Sequence, residues 1–172
     1  MKKCLNFVKK LKGMEPIFGD TLDMSKNRSQ YVLSTESKKK PPFRTILSEV
    51  RSKIKCMTDF WQICEVSVLK ALRGCECQFP HADVTYWNGN YYEELFPAGA
   101  IVAIDRNTTL TVRNKVINIP YGYMMVFRGD FRHAGSAYAV TNYRLHLHLG
   151  LYKNERSDNQ VLPLSKKIKL NK

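Results

Sequence analysis

The sequence predicts a mainly β domain, a sandwich or closed barrel, with one supporting helix on its N-terminal side. Three observations carry this. Short β-branched or alternating runs recur between residues 65 and 149, each bounded by Gly, Pro, Asn or Asp. Helical periodicity is confined to one stretch ahead of them. No repeat of solenoid length underlies the series. Strands so spaced, joined by turns rather than by helical patterns, indicate a sandwich or barrel and not a parallel sheet.

Residues 1–43 mix Lys, Ser, Asn and Gly and end in Lys38-Lys39-Lys40-Pro41-Pro42. This composition predicts a basic, flexible lead-in, with a boundary at the double proline. Leu5, Val8 and Leu11 make only a brief amphipathic turn there, too short for a membrane anchor. From Thr45 onward Ile46, Leu47, Val50 and Ile54 fall at helical spacing, with Arg51, Lys53 and Lys55 outside. That helix ends before Trp61. The first strand is residues 65–72, closed by Gly74. Residues 98–104 form the next, and residues 108–112 and 116–119 a pair, with Arg113-Asn114-Lys115 as the hairpin turn. Residues 123–127 lie between Pro120-Tyr121-Gly122 and Arg128-Gly129-Asp130. Residues 143–149 alternate without a break, and a basic tail closes the chain. The expected organisation is thus a flexible segment 1–43, a helix-plus-barrel domain 44–152, and a tail 153–172.

A chain of 172 residues with 44 % hydrophobic content supports one packed domain. Its longest apolar runs are too short to span a bilayer, and no apolar stretch of secretory-signal length follows the initial lysines. Five cysteines, an odd number, read as free thiols of an intracellular chain, cytoplasmic or nuclear. Of the net charge of +13, residues 1–60 carry +8, residues 61–152 only +1, and residues 153–172 +4. Basic ends attract nucleic acid and other polyanions, and equally serve as solvated tails.

All four histidines, His81, His133, His146 and His148, lie in the β-rich half. In His81-Ala82-Asp83 the first and third side chains point to one face of an extended chain. An imidazole and a carboxylate converging there share a metal, and His133, after a Gly-bounded turn, is the natural third ligand. Two histidines and one carboxylate leave open positions and suit Fe(II). Arg144 opens the last strand with His146 and His148 on its face. A guanidinium entering a barrel interior requires an anion, and a carboxylate meets it with two parallel hydrogen bonds. Cys75-x-Cys77-x-x-x-His81 is a competing zinc reading, without the usual Cys-x-x-Cys pairing. A nucleophile elbow, a phosphate loop and the zinc-deaminase motifs are absent.

His81-Ala82-Asp83, His133 and Arg144 together resemble the Fe(II)- and 2-oxoglutarate-dependent dioxygenase superfamily, over about residues 60–152, with prolyl-hydroxylase-like members the nearest. The resemblance implies a double-stranded β-helix, a jelly-roll or cupin-like barrel. It implies Fe(II) on His81, Asp83 and His133, with 2-oxoglutarate chelating the metal and pairing with Arg144. It implies use of O2, decarboxylation of the keto acid to succinate, and hydroxylation of an unspecified substrate. The alternative is an inactive β-barrel module that docks on nucleic acid or an acidic partner through its basic ends. His146 and His148 read as pocket-lining or as interior hydrogen-bonded histidines. Asp130 reads as a partner orienting His133 or as a turn cap, and Asn142 as a turn residue. The run Tyr86-Trp87-Asn88-Gly89-Asn90-Tyr91-Tyr92 reads as a loop over the site mouth or as a hairpin.

Overall fold

The computed structural model describes residues 1–17, 27–83, 97–151 and 165–170. In chain order the elements are α1 (Lys2–Val8), β1 (Glu15–Pro16), β2 (Arg28–Val32), α2 (Thr35–Lys39), α3 (Phe43–Lys55), β3 (Trp61–Ala71), β4 (Ala98–Val102), β5 (Thr108–Val112), β6 (Lys115–Ile119), β7 (Tyr123–Arg128), β8 (Ala134–Gly135), β9 (Asn142–Leu151) and β10 (Ser165–Lys169). The run at residues 86–92 lies outside the described residues.

Two antiparallel sheets form, one in the order β1-β2-β3-β9-β4-β7-β10 and one in the order β6-β5-β8. Alternation along the strands of the larger sheet sends successive side chains to two different cores. Val66 and Val68 of β3, Ala100 and Val102 of β4, Met124 and Val126 of β7, and Leu145, Leu147 and Leu149 of β9 pack against Phe43, Ile46, Leu47, Val50 and Ile54 of α3 and Cys4 and Val8 of α1. Leu69, Ile101, Met125 and Phe127 face the other way and meet Leu110, Val112 and Ile119 of the smaller sheet. The result is the jelly-roll-like architecture the sequence predicts.

α3 begins two residues before the expected start and buries the four apolar positions that predicted it, with Phe43 added. The β5–β6 hairpin turns on Arg113 and Asn114, both at positive φ (47° and 63°), the geometry a two-residue loop requires. β3 starts at Trp61, earlier than expected. A bulge at Cys64 explains this, because Ile63 pairs with Leu149 and Glu65 with His148, leaving Cys64 unpaired in the ladder. The extra residue reverses the inward parity, Trp61 and Ile63 before it and Val66 and Val68 after it, so no single alternation runs through the strand.

The lead-in expected to be flexible supplies α1, β2 and α2. β2 pairs with β3 from Arg28–Ala71 to Val32–Ser67. Cys4 and Val8 are fully buried in the core under α3, and burial pushes the Cys4 thiol up to about 12, so it packs as an apolar group. Ser34 caps α2, accepting from the Ser37 N–H. A seven-residue helix has no stability of its own in water, so tertiary packing rather than composition decides its formation. The basic tail likewise supplies β10, which pairs with β7 and buries Leu170 just beyond its end. Exposed Lys167 and Lys169 on this edge strand guard it against pairing with other chains.

Candidate metal centre

His81 and His133 meet as an isolated antiparallel bridge. Each backbone N–H donates to the other's carbonyl, at 2.8 and 2.9 Å. The same local device aims both rings. His81 Nδ1 donates to the Phe79 carbonyl at 2.9 Å and His133 Nδ1 to the Phe131 carbonyl at 2.8 Å. A carbonyl only accepts, so each Nδ1 carries a proton, and in the neutral form each ring turns the lone pair of Nε2 the other way. The two rings lie 4.9 Å apart, centre to centre.

Asp83 completes the group. Its Oδ1 is 3.6 Å from His133 Nε2 and 4.0 Å from His81 Nε2, and one donor atom from each of the three residues lies within 4.8 Å of the others. Its Oδ2 accepts from His146 Nε2 at 3.2 Å. Burial alone would raise the Asp83 carboxyl. The His146 hydrogen bond and the charges of His146, His133 and His148 outweigh it and hold the group well below the usual carboxylate range. Burial, opposed by Asp83, pushes His133 below the ordinary histidine value. The two shifts favour an anionic Asp83 and a neutral His133, the protonation states in which these groups bind a metal. The floor is shaped by Gly99, where a Cβ would stand 2.6 Å from the Phe127 ring and 2.9 Å from Asp83 Oδ2.

Arg144, His146 and His148 occupy the face of β9 opposite its leucines and line a cavity of about 320 Å³ that also holds His81, Asp83 and His133. The Arg144 side chain is 2 % exposed, and among the described residues its Nε and Nη1 have no hydrogen-bond partner. Its guanidinium lies over the Tyr138 ring, 5.4 Å from the centre. The Tyr138 hydroxyl is tied to the Thr109 backbone, so the ring offers its face and nothing more. A depression of about 510 Å³ between the end of α3 and the start of β3 carries no comparable donor set.

Some expectations need correction. Asp130 does not orient His133, since the Phe131 carbonyl does so. Asp130 instead takes Arg128 Nε at 3.0 Å. Asn142 is no mere turn residue. It is fully buried, and its Nδ2 donates to the Arg106 carbonyl and to Thr108 Oγ1, pinning the loop ahead of β5 to β9. His146 is the interior hydrogen-bonded histidine and lines the cavity too. His148 is half-exposed, with Glu65 4.0 Å away. Cys75 is buried and Cys77 exposed, none of the five cysteines forms a disulfide, and neither of this pair joins the His-Asp-His group. Sequence reading passed over Arg28. This buried residue of β2 donates through Nη2 to the carbonyls of Glu76, Gly135 and Ser136, tying together the segments that lead to His81 and away from His133. An isolated arginine in a lysine-rich lead-in gives no sequence signal for such a role.

No family model and no curated protein matches the chain. Solved structures do. The 2-oxoglutarate complex of the viral collagen prolyl hydroxylase vCPH from Paramecium Bursaria Chlorella virus-1 aligns with a TM-score of 0.53 at 13 % identity, over 74 % of this chain and 81 % of that one. HygX from Streptomyces hygroscopicus, with nickel, 2-oxoglutarate and hygromycin B bound, aligns with a TM-score of 0.54 at 8 % identity, over 86 % and 75 %. At such identities the likeness speaks for the fold. The chain therefore shares a jelly-roll fold with two proteins that bind 2-oxoglutarate, and within that fold it gathers a His-Asp-His group and a buried arginine around one cavity.

Proposed function

We propose that the protein is an Fe(II)- and 2-oxoglutarate-dependent dioxygenase that hydroxylates its substrate. One observation carries the reading above the others. A three-donor group of metal-ligand chemistry and the buried Arg144 guanidinium, whose Nε and Nη1 have no hydrogen-bond partner among the described residues, line the same cavity. The donors fit Fe(II), for two neutral imidazoles and a carboxylate are its characteristic protein ligands where other positions must stay open. The cavity lies within the size range of small-molecule sites, about 300–1,000 Å³.

His81 and His133 would hold the metal through Nε2 and Asp83 through Oδ1. When bound, iron and 2-oxoglutarate supply oxidation by O2, one oxygen atom going to succinate as CO2 is lost and the other to the substrate hydroxyl. This chain's residues supply the arrangement. The Phe79 and Phe131 carbonyls keep the imidazoles in one tautomer. Arg144 binds the far carboxylate of 2-oxoglutarate as a fork, which orients the keto acid along β9. Leu69, Ile101 and Leu110 keep water from the cavity wall around it.

Incubation with Fe(II), 2-oxoglutarate and O2, with succinate measured by mass spectrometry, tests the reading. The parent releases succinate, and His133→Ala, folded as judged by circular dichroism, does not. A folded parent that forms no succinate contradicts the proposal.

A further inference from the structure

We infer that His146 is a positioning residue that sets the orientation of the Asp83 carboxylate, holding Oδ2 so that Oδ1 is presented to His81 and His133. The inference rests on the metal-centre reading above. Asp83 lies in no strand, just beyond the isolated bridge at His81, so no ladder of backbone hydrogen bonds fixes it. Its side chain must be aimed by what it touches. Oδ1 has His133 Nε2 at 3.6 Å and His81 Nε2 at 4.0 Å, and Oδ2 has His146 Nε2 at 3.2 Å. A carboxylate accepts only, so His146 donates from Nε2.

His146 is built to give that contact rigidly. It stands in mid-strand on β9, paired with Ser67 of β3 on one side and Ile101 of β4 on the other. Its ring packs against the His148 ring, 4.5 Å between centres. It is not one of the three residues whose donor atoms lie within 4.8 Å of one another. It therefore acts through Asp83 and is not a fourth ligand. Gly99 leaves the space in which Oδ2 sits, because a Cβ there would stand 2.9 Å from it. Among the described residues the second oxygen thus has one hydrogen-bonding partner and one backbone wall, both supplied by the central strands of the large sheet. A metal-bound carboxylate whose second oxygen is held in this way enters the site pre-oriented, and loss of such a contact lowers metal affinity about 10–100-fold.

Reach separates this role from a structural one. His146→Gln carries an amide N–H to about the position of Nε2, whereas His146→Asn ends one carbon short. Both are polar and uncharged. Co(II) binding by the full chain, measured by calorimetry and by the cobalt absorption spectrum without 2-oxoglutarate, is the readout. His146→Asn should bind Co(II) about 10–100-fold more weakly than the parent, with an altered spectrum. His146→Gln should stay within about threefold of the parent and keep its spectrum. In an Asp83→Ala background the Asn and Gln variants should become equal, since the group they act through is gone. If His146→Asn matches the parent, or if Asn and Gln lose affinity alike, the inference is overturned and the metal-centre reading stands. If the parent itself takes up no Co(II), both fall.

Discussion

The chemistry concentrates in a few side chains, and each makes a separable claim. Arg144 is costly where it stands. Burial pushes its pKa below the guanidinium range, and Nε and Nη1 find no hydrogen-bond partner among the described residues. Arg144→Met should therefore leave the ligand-free protein at least as stable as the parent while weakening 2-oxoglutarate by roughly two to three and a half decades, from about 3–5 kcal/mol. Thermal melts with Co(II), with and without 2-oxoglutarate, check this. At 100 times Kd the ligand stabilises the parent by about 2.7 kcal/mol, and the variant should gain no more than about 0.4 kcal/mol at that concentration. Gly99→Ala should cost about 1–3 kcal/mol through overpacking on Phe127 and should also weaken metal binding through Asp83. Acid acts through His133 and His148, both held below the ordinary value of 6.5, with burial the larger cause in each. The unfolded chain takes up these protons near 6.5 and the folded chain does not, so metal-free stability should fall as pH drops below that value. Asp83 runs the other way in origin but has the same sign. Its stabilisation is intact above 3.8 and is lost only in stronger acid. Urea midpoints at pH 7.5 and 5.5 should show the decline, and a midpoint that rises at 5.5 would contradict the lowered His133 and His148. That His81, Asp83, His133 and Arg144 gather around one cavity was legible in residue type and spacing. The His146–Asp83 contact was not, since it spans 63 positions between a mid-strand residue and a loop.

At the scale of elements, the alternation of β9 is real, but its two faces serve unlike neighbours. Leu145, Leu147 and Leu149 meet the helices, and Arg144, His146 and His148 line the space between the sheets. An apolar face is read from sequence as the inside of a barrel, and here it is the outside of the sheet, covered by α1 and α3. This separates two kinds of damage. Leu47→Ala empties the helix-covered core and should cost about 2–5 kcal/mol with Co(II) affinity unchanged. Arg28→Met removes the tie across Glu76, Gly135 and Ser136 and should lower stability and Co(II) affinity together. Urea unfolding beside Co(II) calorimetry distinguishes them. Helix α3 and the strands β4, β5, β6, β7 and β9 were readable because their periodicity is local, whereas the two residues of β8 are too few to show any. The start of β3 was hidden by the bulge at Cys64, and α1, β2 and β10 were hidden because their few buried residues count only once a distant partner strand or helix is in place.

For the molecule as a whole, the described residues contain no helix long and apolar enough to cross a membrane. Among the described residues the basic ends contribute to the fold: Lys2 and Lys3 lie in α1, Lys38 and Lys39 in α2, and β10 carries lysines along one edge. The jelly-roll was legible in the succession of strands and turns, whereas the pairing order that brings β9 between β3 and β4 was not, because it depends on contacts between residues some 40 to 90 positions apart. That order sets the Arg144 row of β9 beside the His81–His133 bridge, and we read the cavity between them as a 2-oxoglutarate site on a metal. Anaerobic titration of 2-oxoglutarate into the Fe(II)-loaded protein tests it most directly. A weak visible charge-transfer band should grow to saturation in the parent, and Arg144→Met should lack it at the same concentrations while still binding iron. A folded, iron-loaded parent with no band would contradict the account and favour a β-barrel binding module.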